Sequence, residues 1–298
     1  MVFLPMGSLT QTLPGPFSFV ISTDDVDWQM PTASKLWDGV TDAVYDYYVD
    51  WGDGTAIDHI TSWNQAETNH SYFGLTGDYV VTITGRMDIF RMSDALYVHQ
   101  TMLTDLLSWG DVGIKEYLEM FYDCIHLTYS ATDAPVLDTG TTNSHSLRSM
   151  FYNTGTGFAP GGTCTGDFSS WDTSTITDFQ YMFRESAWDP TGVGAWDVTA
   201  GEFFGYMFDV MPNFNQDISA WTPVNAVAAY PWSFNSMMST TSSWSDANYD
   251  LLLEAWSLLT FAETGLDFEC SAQYTATAAR AILTGAPNNW TIIDNGPA

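Results

Sequence analysis

The chain has 298 residues, 45% of them hydrophobic and 15% aromatic, enough to build more than one core and too apolar for a disordered chain. Its charge is one-sided, with 36 acidic residues against 7 basic ones and a formal net charge of −29. Such a surface repels phosphate backbones and anionic headgroups, which excludes nucleic acid as a partner; no apolar run is long enough for membrane insertion. The charge suits solubility, for instance in salty water where self-repulsion is screened, or the capture of cations.

The opening residues, Met1 to Gly15, hold no lysine or arginine, and the first basic residue is Lys35. A secretory leader needs a positive start before its apolar stretch. Two expectations follow: a secreted chain already trimmed, or one that reaches an exterior by another route, as a virion protein released by lysis would. Cys124, Cys164 and Cys270 are odd in number and lack paired spacing, so buried free thiols are expected rather than disulfides or zinc.

From Pro16 to Gly85 short alternating runs are broken by turns: Phe17, Phe19 and Ile21, then Tyr45, Tyr47 and Val49, then Tyr79, Val81 and Ile83. Period-two runs rich in aromatic and β-branched residues predict an antiparallel sandwich over 1–85. The segment Val49-Asp50-Trp51-Gly52-Asp53-Gly54-Thr55 carries two turn-forming glycines, and Asp50 and Asp53 either brace that turn or begin a calcium site. With His70-Ser71-Tyr72 and Gly77 to Ile83, it resembles the polycystic-kidney-disease (PKD) domain, an immunoglobulin-like module. The resemblance covers about 70 residues and implies an extracellular spacer or binding module. Asp24 to Thr41 exceeds that family's usual connection and reads as an inserted loop.

Over 86–245 a longer period takes over. An apolar residue stands three positions before a tryptophan at Leu106/Trp109, Phe168/Trp171, Val193/Trp196 and Ile218/Trp221. Eleven residues after Trp109, Trp171 and Trp196 come Met120-Phe121, Met182-Phe183 and Met207-Phe208. Met150-Phe151 belongs to a unit with Thr139 at the tryptophan position. Successive methionines, ending at Met237, are 30, 32, 25 and 30 residues apart, a solenoid-like period. Within a unit, Ile176, Phe179, Met182 and Phe183 fall near one helical face after an N-cap at Asp172-Thr173-Ser174. The matching faces are Ile114, Tyr117, Met120 and Phe121, and Phe204, Met207 and Phe208. Each unit is therefore expected to be a short strand, a turn and one short helix, with the tryptophans in the core rather than stacked on sugars.

Phe214-Asn215-Gln216-Asp217-Ile218-Ser219-Ala220-Trp221 and Trp171-Asp172-Thr173-Ser174-Thr175-Ile176-Thr177-Asp178 resemble the BspA-type leucine-rich repeat, over about Leu106 to Met238. Pro223 and Pro231 break the pattern beyond Trp221. Over 246–298, helices are predicted at Tyr249 to Phe261 and Tyr274 to Leu283, with strands at Leu266 to Phe268 and Trp290 to Ile293. This ending resembles those that close repeat arrays in phage and bacterial surface proteins.

The expected fold class is thus mixed: an N-terminal all-β immunoglobulin-like (PKD) sandwich plus a C-terminal α/β leucine-rich-repeat-type solenoid with a cap. No nucleophile elbow, zinc-protease helix, Walker loop or dinucleotide turn occurs, so no enzyme and no cofactor beyond calcium is expected. The expected role is a non-enzymatic virion-surface protein of a phage, decorating the capsid or associated with the tail. The alternatives are a secreted bacterial surface adhesin and, with many carboxylate pairs available, a glycan-processing enzyme. Expected partners are other virion or surface proteins, or a host-surface glycan or protein, in assembly with further subunits. The expected location is the virion surface or the extracellular space.

Overall fold

A computed structural model describes residues 15–95, 97–137, 145–157, 164–228, 233–241 and 243–298. Thr139, Pro231 and residues 1–14 lie outside the described residues.

Alternation becomes strand where it was read. β1 (Phe17–Asp24) turns Phe17, Phe19 and Ile21 into the core, and β3 (Tyr45–Asp50) buries Tyr45, Tyr47 and Val49 while Asp46, Tyr48 and Asp50 face out. β2 (Trp28–Gln29), β4 (Asp58–Ile60), β5 (Asn69–His70) and β6 (Thr76–Met87) follow. Helix α1 (Tyr97–Met102) leads into β7 (Leu103–Ser108), and β8 (Thr128–Tyr129) comes next. One six-stranded sheet has the order β4-β3-β6-β1-β7-β8, antiparallel except for the parallel β7–β8 pair; β2 and β5 form a separate ribbon.

The expected fold class is corrected here. The front of the chain is a single mixed sheet with a ribbon, not two facing sheets. β1 accepts β7 on its free edge, so the strand positions a second sheet would need are spent extending the first. Behind it are small sheets, none closed or curled: β9 (Cys164–Asp167) with β10 (Trp188–Thr191), and β11 (Phe234–Met238) with β12 (Asp267–Cys270) and β13 (Thr291–Ile293). Among the described residues there is no leucine-rich-repeat solenoid of strand–helix units. The helices expected at Ile114–Phe121, Ile176–Phe183 and Phe204–Phe208 are turns. Tyr181 (φ 56°), Glu185 (φ 61°), Glu119 (φ 56°) and Tyr206 (φ 60°) have left-handed backbones, which no right-handed helix can pass through. Asp172 does not cap a helix; its carboxylate closes a local turn on the Ser174 N–H and hydroxyl. The α-helices of the C-terminal segment are α2 (Asp246–Trp256), N-capped by Ser245, and α3 (Thr277–Thr284), both packed beside the β11–β13 sheet.

What joins the turn segments is backbone hydrogen bonding from one unit to the next. Glu119, Phe121 and Asp123 donate their N–H groups to Arg148, Met150 and Tyr152 at 2.9–3.0 Å. Ser149, Phe151 and Asn153 donate in the same way to Gln180, Met182 and Arg184, and Tyr181, Phe183 and Glu185 to Gly205, Met207 and Asp209. Inside, Phe121, Phe151, Phe183 and Phe208 form a column with ring centroids 5.4, 5.5 and 5.9 Å apart. Met120, Met150, Met182 and Met207 are fully buried beside it.

Candidate functional site

In each unit the Met-Phe step points inward while the residues on either side point outward. Two left-handed residues four positions apart bracket it: Glu119 and Asp123, Ser149 and Asn153, Tyr181 and Glu185, Tyr206 and Val210. This backbone turns every second N–H toward the neighbouring unit and places a tyrosine against the Met-Phe step each time, at Tyr122, Tyr152, Tyr181 and Tyr206.

Those rings make a half-buried face. Tyr122 stacks on Tyr152 with centroids 4.7 Å apart and 6° between planes; Tyr181 stacks on Tyr206 at 5.0 Å and 6°. The Arg184 guanidinium lies 5.8 Å from the Tyr152 ring centre and 5.5 Å from that of Tyr206, joining the two stacks. Its Nε donates to Asp209 Oδ2 at 3.2 Å and its Nη1 to the Tyr152 hydroxyl at 3.3 Å, and that hydroxyl donates to Glu185 Oε1 at 2.9 Å. Asp209 also accepts from Ser239 and Thr240. Burial, then the accepting Glu185 carboxylate, pushes the Tyr152 hydroxyl up to about 12, so it stays a donor at neutral pH. Burial alone would lower Arg184, but Asp209, Glu185 and Tyr152 outweigh it and hold its cation above the usual range.

At the margin of this face is a cavity of about 200 Å³ lined by Arg148, Asp178, Gln180 and Phe203. Arg148 also caps the Tyr181 ring at 5.5 Å. Asp178 accepts from the Ser146 hydroxyl at 3.1 Å and the Gln180 N–H at 3.0 Å. Burial nevertheless raises its carboxyl above the usual range, against those two bonds and Arg148.

The tryptophans singled out from the sequence are all buried: Trp109, Trp171, Trp196 and Trp221 are 1–5% exposed. Trp109 and Trp171 both donate to the Tyr129 hydroxyl, at 2.7 and 3.2 Å. These side chains hold the interior and do not reach the face.

Asp50 and Asp53 sit in the β3–β4 turn. Asp50 accepts from the Gly52 N–H; Asp53 Oδ1 accepts from the Thr55 N–H and hydroxyl, and its Oδ2 meets His70 Nε2 at 2.8 Å. Burial raises the Asp53 carboxyl, but the Thr55 and His70 hydrogen bonds prevail and leave it below the ordinary value. His70 stacks on Trp51 at 4.6 Å, and the Tyr72 hydroxyl donates to the Trp51 carbonyl. Both Asp53 oxygens are committed and one partner is an imidazole, so this donor set does not fit calcium, which takes six to eight oxygens. Among the described residues no cluster of three or more His, Cys, Asp or Glu is placed to hold a metal.

Cys124 and Cys270 are free and buried, and burial raises both thiols; the Cys164 side chain lies outside the description. Among the described residues no helix is long and apolar enough to cross a membrane.

Sequence reasoning passed over the tyrosine–arginine face, although its signal was present. Tyrosine follows Met-Phe at 122 and 152 and precedes it at 181 and 206. A left-handed turn, unlike a helix, sets those flanking positions outward together.

Residues 145–256 match a family model described as "Mycoplasma protein of unknown function, DUF285". The match loosely fits the BspA-type resemblance and a surface protein, and it leaves the PKD resemblance of the front segment without support. No curated protein and no solved structure matches the chain.

Proposed function

We propose that this chain is a non-catalytic, surface-displayed binding protein, carried on a phage virion as capsid decoration or beside the tail. The observation that supports this reading is the face of Tyr122, Tyr152, Tyr181, Arg184 and Tyr206. Its rings are half-buried and held by stacking, and the arginine between them is fixed by Asp209 and Glu185. Tyrosine and arginine held rigid lose little conformational entropy on contact, which suits a binding surface. A net charge of −29 disfavours contact between acidic faces, so attachment falls to such a less charged patch. Its partners are other virion or surface proteins, or a host-surface protein or glycan.

A second reading, a secreted bacterial surface adhesin, is favoured by the match of 145–256 to a model described from Mycoplasma proteins. Immunogold labelling with an antibody against the chain separates the two. Label on purified particles supports the virion reading and label on intact producer cells the adhesin. Antigen confined to the cell interior, with neither surface labelled, overturns both.

A further inference from the structure

We propose that α1 is a pH-sensitive clamp, held on the front sheet while the buried His99 ring is neutral and released when that ring takes up a proton. The clamp operates whatever binds the tyrosine–arginine face.

A six-residue helix is too short to persist by its own hydrogen bonds, so α1 depends on what its side chains pack against. His99, Gln100 and Met102 are buried, and the helix lies against β1 and β7. The Gln100 amide donates to the Met92 carbonyl at 3.0 Å, so its polar end is met. His99 is different. Its ring centre lies 5.8 Å from that of the fully buried Trp28, and its Nδ1 has no hydrogen-bond partner. Trp28 Nε1 beside it also has none. A neutral imidazole tolerates this arrangement, because one nitrogen serves the Asp27 carbonyl and the other is only an unused acceptor. A protonated one does not: it brings a positive charge and a second N–H with no acceptor into a site that is 6% exposed.

The charged groups around the ring do not reverse this. Burial pushes the imidazole below its ordinary value, against the carbonyl hydrogen bond and the charge of Asp27. Asp24 of β1 and His126 ahead of β8 line a groove outside it, Asp105 of β7 accepts from Ser130, and Arg91 is paired with Glu116. Undocked, the ring titrates near its ordinary 6.5; docked, it titrates below that. The hold is therefore complete above 6.5 and weakens as pH falls from there toward the folded value. Val98, Thr101 and Met102 of α1 form one wall of that groove, about 510 Å³ in volume, so release of the helix takes the wall away.

Hydrogen exchange of the α1 amides in the full chain tests this. Wild type and His99→Gln are compared at each pH, so that the intrinsic pH dependence of exchange cancels. Between about pH 7.5 and about pH 5.0, α1 in the wild type should lose at least about threefold in protection relative to the variant, while the amides of β3 and β6 keep a constant ratio. A constant ratio in α1 overturns the proposal. So does a helix that gains protection in acid, the result of a cation attracted to the Trp28 ring. Should His99→Gln fold poorly, His99→Phe is read in its place. NMR titration of the His99 ring in the wild type needs no variant: a midpoint below 6.5 is expected, and one at or above 6.5 overturns the clamp.

Discussion

Trp196 and Trp221 stack with centroids 6.4 Å apart and 4° between planes, and each donates its indole N–H at 2.8 Å to a carbonyl 28 residues earlier, Phe168 and Val193 respectively. Each ring fills the interior of its own unit while its polar edge ties that unit to the one before. Replacing Trp196 by Ala removes a large core side chain and orphans a buried carbonyl, and should cost about 3–5 kcal/mol. Trp171→Ala should cost the same. Chemical denaturation checks this, with Tyr122→Ala on the half-buried face as the milder reference.

Gly52 and Gly54 share one turn and differ in what surrounds them. Gly52 has φ +79°, and a Cβ there would meet the Val80 carbonyl oxygen at 2.5 Å; Gly54 has φ +83° and nothing within 4 Å. Gly54→Ala should therefore cost only the backbone term, about 1 kcal/mol, and Gly52→Ala clearly more. Equal melting temperatures for the two variants would contradict this.

Two aspartates should shape the acid limb of stability in opposite directions. Asp53 is lowered from 3.8, so its contribution is present above that value and lost as pH falls through its folded pKa. Asp53→Asn should be less stable at neutral pH and flatter on acidification. Asp178 is raised from 3.8, so the folded chain holds a proton the unfolded chain has released, and stability falls as pH rises through its folded pKa. Asp178→Asn should remove that fall. Thermal melts from pH 3 to 7 on the three proteins read both slopes.

Salt separates attachment by a neutral patch from attachment by charge. Against a net charge of −29, raising sodium chloride from about 50 to about 500 mM should tighten association with a partner or leave it unchanged, because screening relieves repulsion. A strong loss over that range would point to a basic partner held by charge attraction.

The strands of the front segment were legible because period-two alternation is a local property: Phe17, Phe19, Ile21 and Tyr45, Tyr47, Val49 bury as their spacing says. What lay beyond the sequence was partnership. Nothing local tells β1 to accept β7, a strand some 80 residues on, as its second neighbour, and that choice replaces a sandwich by one sheet. The Met-Phe units misled for a related reason. Ile176, Phe179, Met182 and Phe183 have helical spacing, but Tyr181 and Glu185 adopt a conformation that local propensity disfavours and that cross-unit hydrogen bonds impose. The face that follows from it was written in the tyrosines beside each Met-Phe, and only the direction in which they point was hidden.

Because the bonds between units run from one left-handed turn to the next, with the same atoms donating and accepting each time, every unit presents the same connector on both sides. The connector is indifferent to how many residues lie between successive turns, as the 25- and 32-residue intervals already attest. A gene that duplicates or loses one whole unit would leave the remaining connectors intact. It would change the separation between the front sheet and the β11–β13 sheet by a single stacking step of 5.4–5.9 Å. The turns in the middle of this protein are thus joined by one recurring set of backbone hydrogen bonds, whatever the number of residues between them.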